Sequence, residues 1–122
     1  MNKYKILMVE DEADFMEFLK MRLEANGYEI ITAVDGKEGF EKARSEKPDL
    51  ILLDLMLPKV DGYWVCNFLK HDSRFSNIPV IILTAKSGEE NVKLAKDCGA
   101  DEYVQKPFEI ADLLAKISGL LK

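Results

Sequence analysis

Five side chains with the potential to carry out chemistry follow short apolar runs of the sequence. They are Glu10 and Asp11 after KILMV, Asp54 at the end of LILLD, Thr84 at the end of VIILT, and Lys106 after EYVQ. Asp54 is the most informative of them, because an unpaired carboxylate in apolar surroundings either costs several kcal/mol or loses its charge. Such a position needs a partner or a chemical purpose.

Three carboxylates, a hydroxyl and an amine together would suit a divalent cation and a phosphoryl group. Neighbouring carboxylates repel one another strongly in a partly dry site, so a cation is the natural balance. The set favours Mg²⁺, since its ligands are oxygens and no His or Cys lies nearby in the sequence. An ammonium and a hydroxyl can stabilise phosphoryl oxygens while a carboxylate attacks phosphorus. Asp54 is therefore predicted to be a nucleophile that forms an aspartyl phosphate.

Five strands that alternate with five helices would bring these side chains together. Aliphatic and β-branched runs predict strands at 4–9, 28–33, 49–54, 79–84 and 101–105, and apolar spacings of three and four residues predict helices at about 15–23, 36–45, 63–70, 89–98 and 108–121. Consecutive βα units predict an α/β fold with a doubly wound, five-stranded parallel sheet, in which the more polar second and fifth strands lie at the edges. Ligands of such sheets bind beyond the carboxyl ends of the strands, where the five side chains fall.

Length, charge and cysteine content limit the classes of function. The 122 residues, 48% of them hydrophobic, fit one domain that spans residues 1–122. A net charge of -5 gives no electrostatic footprint for direct binding to nucleic acid or an anionic membrane. The apolar runs are too short for a signal peptide or a membrane span, which predicts a cytoplasmic protein. Cys66 and Cys98 lack zinc-like spacing and are expected to be buried or half-buried thiols rather than a disulfide or a metal site.

Four longer motifs surround the chemical side chains. They are VEDE with Glu10 and Asp11, LDLMLPKVDG with Asp54 and Gly62, ILTA with Thr84, and GADEYVQKPF with Tyr103 and Lys106. Together these motifs resemble the receiver domains of two-component response regulators, such as the chemotaxis regulators, and the resemblance covers the whole chain. It implies a flavodoxin-like receiver fold, (βα)5, with strand order 2-1-3-4-5 and a single response regulatory domain at residues 1–122.

The resemblance also implies a phosphoacceptor and a metal site. Asp54 would accept the phosphoryl group. Mg²⁺ would be bound directly by Asp11, Asp54 and the backbone carbonyl of Met56, with Glu10 contributing through water. Pro58 and Gly62 would shape the loop that follows the third strand.

Three further residues would respond to the phosphoryl group. Lys106 would pair first with the acids and then with the phosphoryl group, and its bond to Pro107 would be cis. Thr84 and Tyr103 would form a switch pair, in which the hydroxyl moves to the phosphoryl group and the ring turns from exposed to buried. Trp64, on the third helix, is expected to pack between that helix and its surroundings.

The function implied by the resemblance is a phosphorylation-activated signalling switch. A sensor histidine kinase or phosphotransfer protein would donate the phosphoryl group, and the surface of the fourth helix, fifth strand and fifth helix would change to control a downstream protein or an effector domain. The chain would catalyse only its own phosphorylation and dephosphorylation. Asp112 and Lys116 occupy positions that resemble the charged contacts of receivers that dimerise when phosphorylated. Position 91, however, is Asn91 rather than a matching basic residue, so a phosphorylation-dependent homodimer is possible but not predicted.

Two other functions are alternatives. A Mg²⁺-dependent phosphohydrolase with an aspartyl nucleophile, as in the haloacid-dehalogenase superfamily, would have a second Asp two residues after the nucleophile, where this chain has Met56. A degenerate receiver that binds its partner constitutively would not need all five site residues, yet all are present. Nucleotide binding is disfavoured, because VEDEAD contains no glycine-rich loop.

Overall fold

The computed structural model describes residues 3–55, 57, 61–85 and 88–121. Five strands alternate there with five helices: β1 (Lys5–Val9), α1 (Ala13–Ala25), β2 (Glu29–Ala33), α2 (Gly36–Glu46), β3 (Leu50–Asp54), α3 (Gly62–His71), β4 (Val80–Thr84), α4 (Glu89–Asp97), β5 (Glu102–Gln105) and α5 (Ile110–Leu120). The predicted βα order is confirmed, and the predicted bounds are off by two residues at most. Within these ranges, no helix is both long enough and apolar enough to span a lipid bilayer.

The five strands form one parallel sheet in the order β2-β1-β3-β4-β5, as predicted. The inner strands β1, β3 and β4 are almost entirely buried, whereas β2 and β5 at the edges carry exposed and half-buried residues. The register pairs Val9 with Leu53, so the residues that follow β1 lie beside the end of β3. This alignment brings the acidic residues of two separate segments to one edge of the sheet.

Alternate residues of each inner strand point to opposite faces of the sheet, which gives the domain two apolar layers. On β3, Ile51 and Leu53 belong to the layer under α2, α3 and α4, and Leu50 and Leu52 to the layer under α1 and α5. All four side chains are fully buried. Because both faces are covered, β3 has apolar side chains along its length until Asp54 ends it.

Acidic side chains fix the beginnings of three helices. Glu12 accepts hydrogen bonds from the backbone N–H groups of Asp14 and Phe15 at the start of α1. Asp35 and Asp61 do the same for α2 and α3. These carboxylates satisfy N–H groups that have no partner within the helix, and their negative charge interacts favourably with the positive end of the helix dipole. The Glu12 carboxylate is thereby occupied at the helix start, which separates it from the other two acids of VEDE.

Gly62 allows α3 to begin very close to the end of β3. A Cβ atom at this position would lie 2.5 Å from the Leu55 Cα and 2.7 Å from the Asp54 carbonyl oxygen. The Gly62 N–H in turn donates to the Leu55 carbonyl at 3.3 Å. The predicted role of Gly62 in shaping this loop therefore has a steric basis, while Pro58 lies outside the described residues.

Two smaller expectations have different outcomes. Cys66 and Cys98 are buried, free thiols, as predicted, and the Cys66 thiol donates to the Cys98 carbonyl at 3.7 Å. The packing expected for Trp64 is only partly correct, since its side chain is 54% exposed. Its ring stacks on Phe68 and meets Phe40 edge to face, so these two rings occupy the space between α2 and α3 and hold the indole towards solvent.

Candidate phosphoryl and metal site

Three carboxylates meet at the carboxyl ends of β1 and β3, two neighbouring inner strands. Glu10 and Asp11 follow β1, and Asp54 is the last residue of β3. One carboxylate oxygen from each residue lies within 4.8 Å of the others. Glu10 and Asp54 are buried, at 2% and 7% exposure, whereas Asp11 is exposed. The group is therefore open to solvent on the side of Asp11 and closed on the side of the sheet.

Lys106 reaches this acidic group from the end of the edge strand β5. Its Nζ lies 2.8 Å from Glu10 Oε2 and 3.2 Å from Asp54 Oδ2. Its backbone N–H donates to the Thr84 carbonyl at 2.8 Å, which attaches the residue to the end of β4. The Lys106–Pro107 bond is cis, as the resemblance implied.

The pKa values of the site reflect a balance between burial and charge. Burial raises the pKa of the Glu10 carboxyl; the hydrogen bond from Lys106 acts in the opposite direction, and the Asp54 charge adds to the rise. Burial works against the charged form of Lys106, but the hydrogen bond to Glu10 and the charges of Asp54 and Glu10 outweigh it and raise the pKa of the ammonium. Lys106 therefore remains a cation within the site.

The Phe15 side chain, on the first turn of α1, makes a contact that the sequence did not predict. The Lys106 Nζ lies 4.1 Å from the centroid of the Phe15 ring, which is the geometry of a cation–π interaction. The same ring meets Phe108 edge to face at a centroid distance of 6.1 Å. Helical periodicity identifies Phe15 as an apolar position, but no local pattern relates it to a lysine 91 residues further along the chain.

Thr84 and Tyr103 lie on neighbouring strands, β4 and β5. Thr84 is completely buried at the end of β4, and its predecessor Leu83 pairs with Asp54 across β3 and β4. Tyr103 is half-buried on β5, opposite Ile82, and packs against the apolar layer under α3 and α4. Burial raises the pKa of the Tyr103 hydroxyl. Thr84 therefore lies at the carboxyl end of β4, and Tyr103 lies two pairing positions earlier along β5; their role as a switch pair stays a prediction.

The acidic group fits a hard divalent cation. Its three acidic members offer carboxylate oxygens, and among the residues that the structure describes these three carboxylates against the Lys106 ammonium leave an excess of two negative charges. Oxygen ligands and this charge favour Mg²⁺ over zinc. Glu10, Asp11 and Asp54 could hold the ion, and the carbonyl of Met56, also expected as a ligand, lies outside the described residues.

Comparison with known proteins decides the family. Residues 6–118 match the family model described as the response regulator receiver domain. The chain belongs to this family. Receiver domains are phosphorylation-controlled signalling switches rather than enzymes that act on a separate substrate, so the receiver class and fold expected from the sequence are confirmed.

The receiver has curated relatives among longer regulators. It is 45% identical over 122 residues to the alkaline phosphatase synthesis transcriptional regulatory protein PhoP of Bacillus subtilis, covering 100% of this chain and 50% of that protein. It is 42% identical over 118 residues to the DNA-binding dual master transcriptional regulator RpaA of Synechocystis, covering 97% of this chain and 49% of that protein. The chain spans about half the length of the curated relatives it matches.

Solved receiver structures have the same fold. A putative response regulator from Chloroflexus aurantiacus superposes with a TM-score of 0.93 at 28% identity, covering 98% of both chains. The BeF3-activated N-terminal receiver domain of RstA from Klebsiella pneumoniae superposes with a TM-score of 0.91 at 31% identity, covering 97% of this chain and 98% of that chain. The (βα)5 architecture is thus shared across proteins of low sequence identity.

Proposed function

We propose that this receiver takes a phosphoryl group on Asp54 from a phosphohistidine of a sensor kinase or phosphotransfer protein. The proposal is carried by one observation: a buried carboxylate at the tip of a central strand lies 3.2 Å from a lysine ammonium and within 4.8 Å of two further acids. A purely structural Asp would not need a cation and two competing acids around it. A nucleophile that must carry three more phosphoryl oxygens does need positive charge nearby.

The transfer needs one bond to form and one to break. A carboxylate oxygen of Asp54 attacks phosphorus, and the P–N bond of the phosphohistidine breaks with its electron pair remaining on the imidazole nitrogen, which takes up a proton. Lys106, already beside Asp54, binds a phosphoryl oxygen and offsets its charge. Hydrolysis by water would later return the Asp54 carboxylate and release inorganic phosphate, so the chain would catalyse only its own modification.

We assign Mg²⁺ to Asp11, Asp54 and the backbone carbonyl of Met56, with Glu10 acting through water. The burial of Glu10 and its hydrogen bond to Lys106 support an indirect role, because this carboxylate already has a cationic partner at 2.8 Å. When bound, the ion supplies Lewis-acid stabilisation of the phosphoryl oxygens. Asp11 is the exposed member of the group and would receive the ion from solvent.

The output is assigned to Thr84, Tyr103 and the surface of α4, β5 and α5. The Thr84 hydroxyl would move to the phosphoryl group, and the half-buried Tyr103 ring would then turn further inward. The phosphoryl group can shift this equilibrium only by interacting differently with the two states. The changed surface would act on a downstream protein or on an effector domain, as the transcriptional names of the longer relatives suggest. Cytoplasmic localisation stays a prediction, and a phosphorylation-dependent homodimer stays an open question.

The test is the intact mass of the protein after incubation with acetyl phosphate, with and without Mg²⁺. We expect one phosphoryl adduct in wild type with Mg²⁺, little without it, and none in Asp54→Asn. Asp97→Asn, an exposed acid at the end of α4, is the matched control and should behave as wild type. An adduct that persists in Asp54→Asn would refute the assignment of the nucleophile. No adduct in wild type with bound Mg²⁺ would favour a degenerate receiver.

A further inference from the structure

We propose that Phe15 is a positioning residue for phosphoryl transfer, because its ring holds the Lys106 ammonium over the acidic group. This inference rests on the proposed function, in which Lys106 offsets the charge that arrives on Asp54. Phe15 would touch neither the donor nor the phosphoryl group. It would act through Lys106, whose ammonium the ring contacts directly.

Among the described residues, the Lys106 ammonium contacts three side chains. Two are the Glu10 and Asp54 carboxylates, at 2.8 Å and 3.2 Å, and the third is the face of the Phe15 ring, 4.1 Å from Nζ to the centroid. The negative face of an aromatic ring attracts a cation, and the attraction grows as water is removed. The Lys106 side chain is only 19% exposed, so this contact is made in a part-dry environment.

The Phe15 ring is itself held in place from two sides. Glu12 accepts a hydrogen bond from the Phe15 backbone N–H at 2.8 Å, which fixes the first turn of α1. Phe108, two residues beyond Lys106, meets the Phe15 ring at an interplanar angle of 89°, and both rings pack against the layer under α1 and α5. The ring is therefore held by the first turn of α1 and by the apolar layer as well as by the lysine that it contacts.

This arrangement matters for transfer because Lys106 must exchange partners. When a phosphoryl group forms on Asp54, the ammonium has to contact phosphoryl oxygens in place of part of its carboxylate contacts. A lysine side chain that is free to rotate loses considerable entropy when it is fixed at that moment. The Phe15 contact does not depend on which oxygen the ammonium binds. It therefore keeps Nζ beside Asp54 before, during and after the exchange.

The test compares phosphorylation rates of Phe15 variants with acetyl phosphate and Mg²⁺, measured by intact mass. A small donor is used because it does not require a partner protein to dock near α1. Phe15→Leu fills the space but has no ring face, and we expect it to react about fivefold more slowly, the effect of losing one part-buried cation–π contact. Phe15→Tyr keeps the ring face and should restore a rate close to that of wild type, which a role in packing alone would not require.

Phe18 provides the matched control on the same helix. It is exposed and has its own cationic neighbour, Arg22, with Cζ 5.9 Å from the ring centroid. Phe18→Leu should leave the rate unchanged. Thermal unfolding of each variant shows that the fold is retained, and Phe15→Met serves as the second ring-free variant if Phe15→Leu does not fold.

The outcomes separate this inference from the proposed function. If wild type reacts and Phe15→Leu reacts equally fast, the positioning role is wrong while Asp54 remains the phosphoacceptor. If Phe15→Tyr is folded but as slow as Phe15→Leu, the ring face is not the cause and the inference is also wrong. If wild type forms no adduct with Mg²⁺ bound, the proposed function fails, and the positioning role fails with it.

Discussion

At the scale of single residues, three consecutive acids have three different environments. Glu10 is buried and binds Lys106, Asp11 is exposed beside it, and Glu12 caps α1. The differences arise because the chain leaves a strand and enters a helix within these three positions. The sequence predicted that acids lie at this edge of the sheet. It could not predict which of them binds Lys106, because the lysine is distant in the chain.

Asp72, after the end of α3, gives a pH-dependent prediction at this scale. It accepts hydrogen bonds from the Arg74 backbone N–H, Nε and Nη2 at 2.8, 3.0 and 2.8 Å. These bonds lower the pKa of the Asp72 carboxyl from 3.8 to about 2. A carboxyl whose pKa is lower in the folded state contributes stability above its unfolded pKa and loses it as the pH falls through its folded pKa.

Asp72→Asn should therefore be less stable than wild type near neutral pH. The difference in free energy of unfolding should shrink as the pH falls from 3.8 towards about 2, where Asp72 becomes protonated in wild type. Urea denaturation of both proteins at matched pH values measures this difference. A difference that stays constant over the acidic range would show that the charge of Asp72 does not contribute to stability.

At the scale of elements, the junction between β3 and α3 sets the position of the candidate site. Asp61 caps α3 at 2.8 Å, and Gly62 lies against the backbone of residues 54 and 55. The helix therefore begins as close to the end of the strand as the backbone permits. The sequence predicted that Gly62 shapes the loop after the third strand, but not that its Cα lies directly against the backbone of Asp54 and Leu55.

Gly62→Ala should destabilise the protein by about 1–3 kcal/mol, the usual cost of forcing an extra methyl group into a packed site. It should also slow phosphorylation, because the clash is with the backbone of Asp54 and Leu55. Gly119→Ala is the matched control, since nothing lies within 4 Å of its added Cβ. Because Gly119 lies inside α5, replacing it with Ala should raise the free energy of unfolding by about 0.5–1 kcal/mol. Equal effects of the two substitutions in thermal unfolding would contradict the steric argument.

Element patterns explain why the fold could be predicted so fully. The continuous apolar runs of β1, β3 and β4 require cover on both faces, and the polar residues of β2 and β5 place those strands at the edges. What remained unpredictable were contacts between elements that no local pattern encodes. The Phe15–Lys106 contact and the outward position of Trp64 are both of this kind.

At the scale of the whole molecule, an acidic protein brings three carboxylates together where the sheet ends. The chain has a net charge of -5, and within the described part of the chain three carboxylates share one small region with the Lys106 ammonium. Such crowding opposes folding through charge repulsion. The free energy of unfolding should consequently depend on the cation proposed to bind there.

Mg²⁺ should raise the midpoint of thermal unfolding of wild type by several degrees. At a free concentration about ten times the Kd, a ligand that binds only the folded state adds about 1.4 kcal/mol of stability. Asp11→Asn should be more stable than wild type without Mg²⁺, because repulsion is relieved, and should respond less to the ion. Asp97→Asn, remote in the chain from this group, is the control and should respond as wild type. An equal response of wild type and Asp11→Asn would place the ion elsewhere.

The acids and the lysine of the site are attached to strands that differ in how many neighbouring strands they pair with. Glu10 and Asp54 follow or end β1 and β3, which each pair with a strand on both sides, whereas Lys106 follows β5, which pairs only with β4. Opening β5 breaks one ladder of backbone hydrogen bonds and leaves the central strands intact. Amide hydrogens of Glu102–Gln105 should therefore exchange with solvent faster than those of Leu50–Asp54. Glu10 and Asp54 are thus attached to inner strands that we expect to exchange slowly, while the lysine and the proposed switch tyrosine belong to an edge strand that we expect to open more easily.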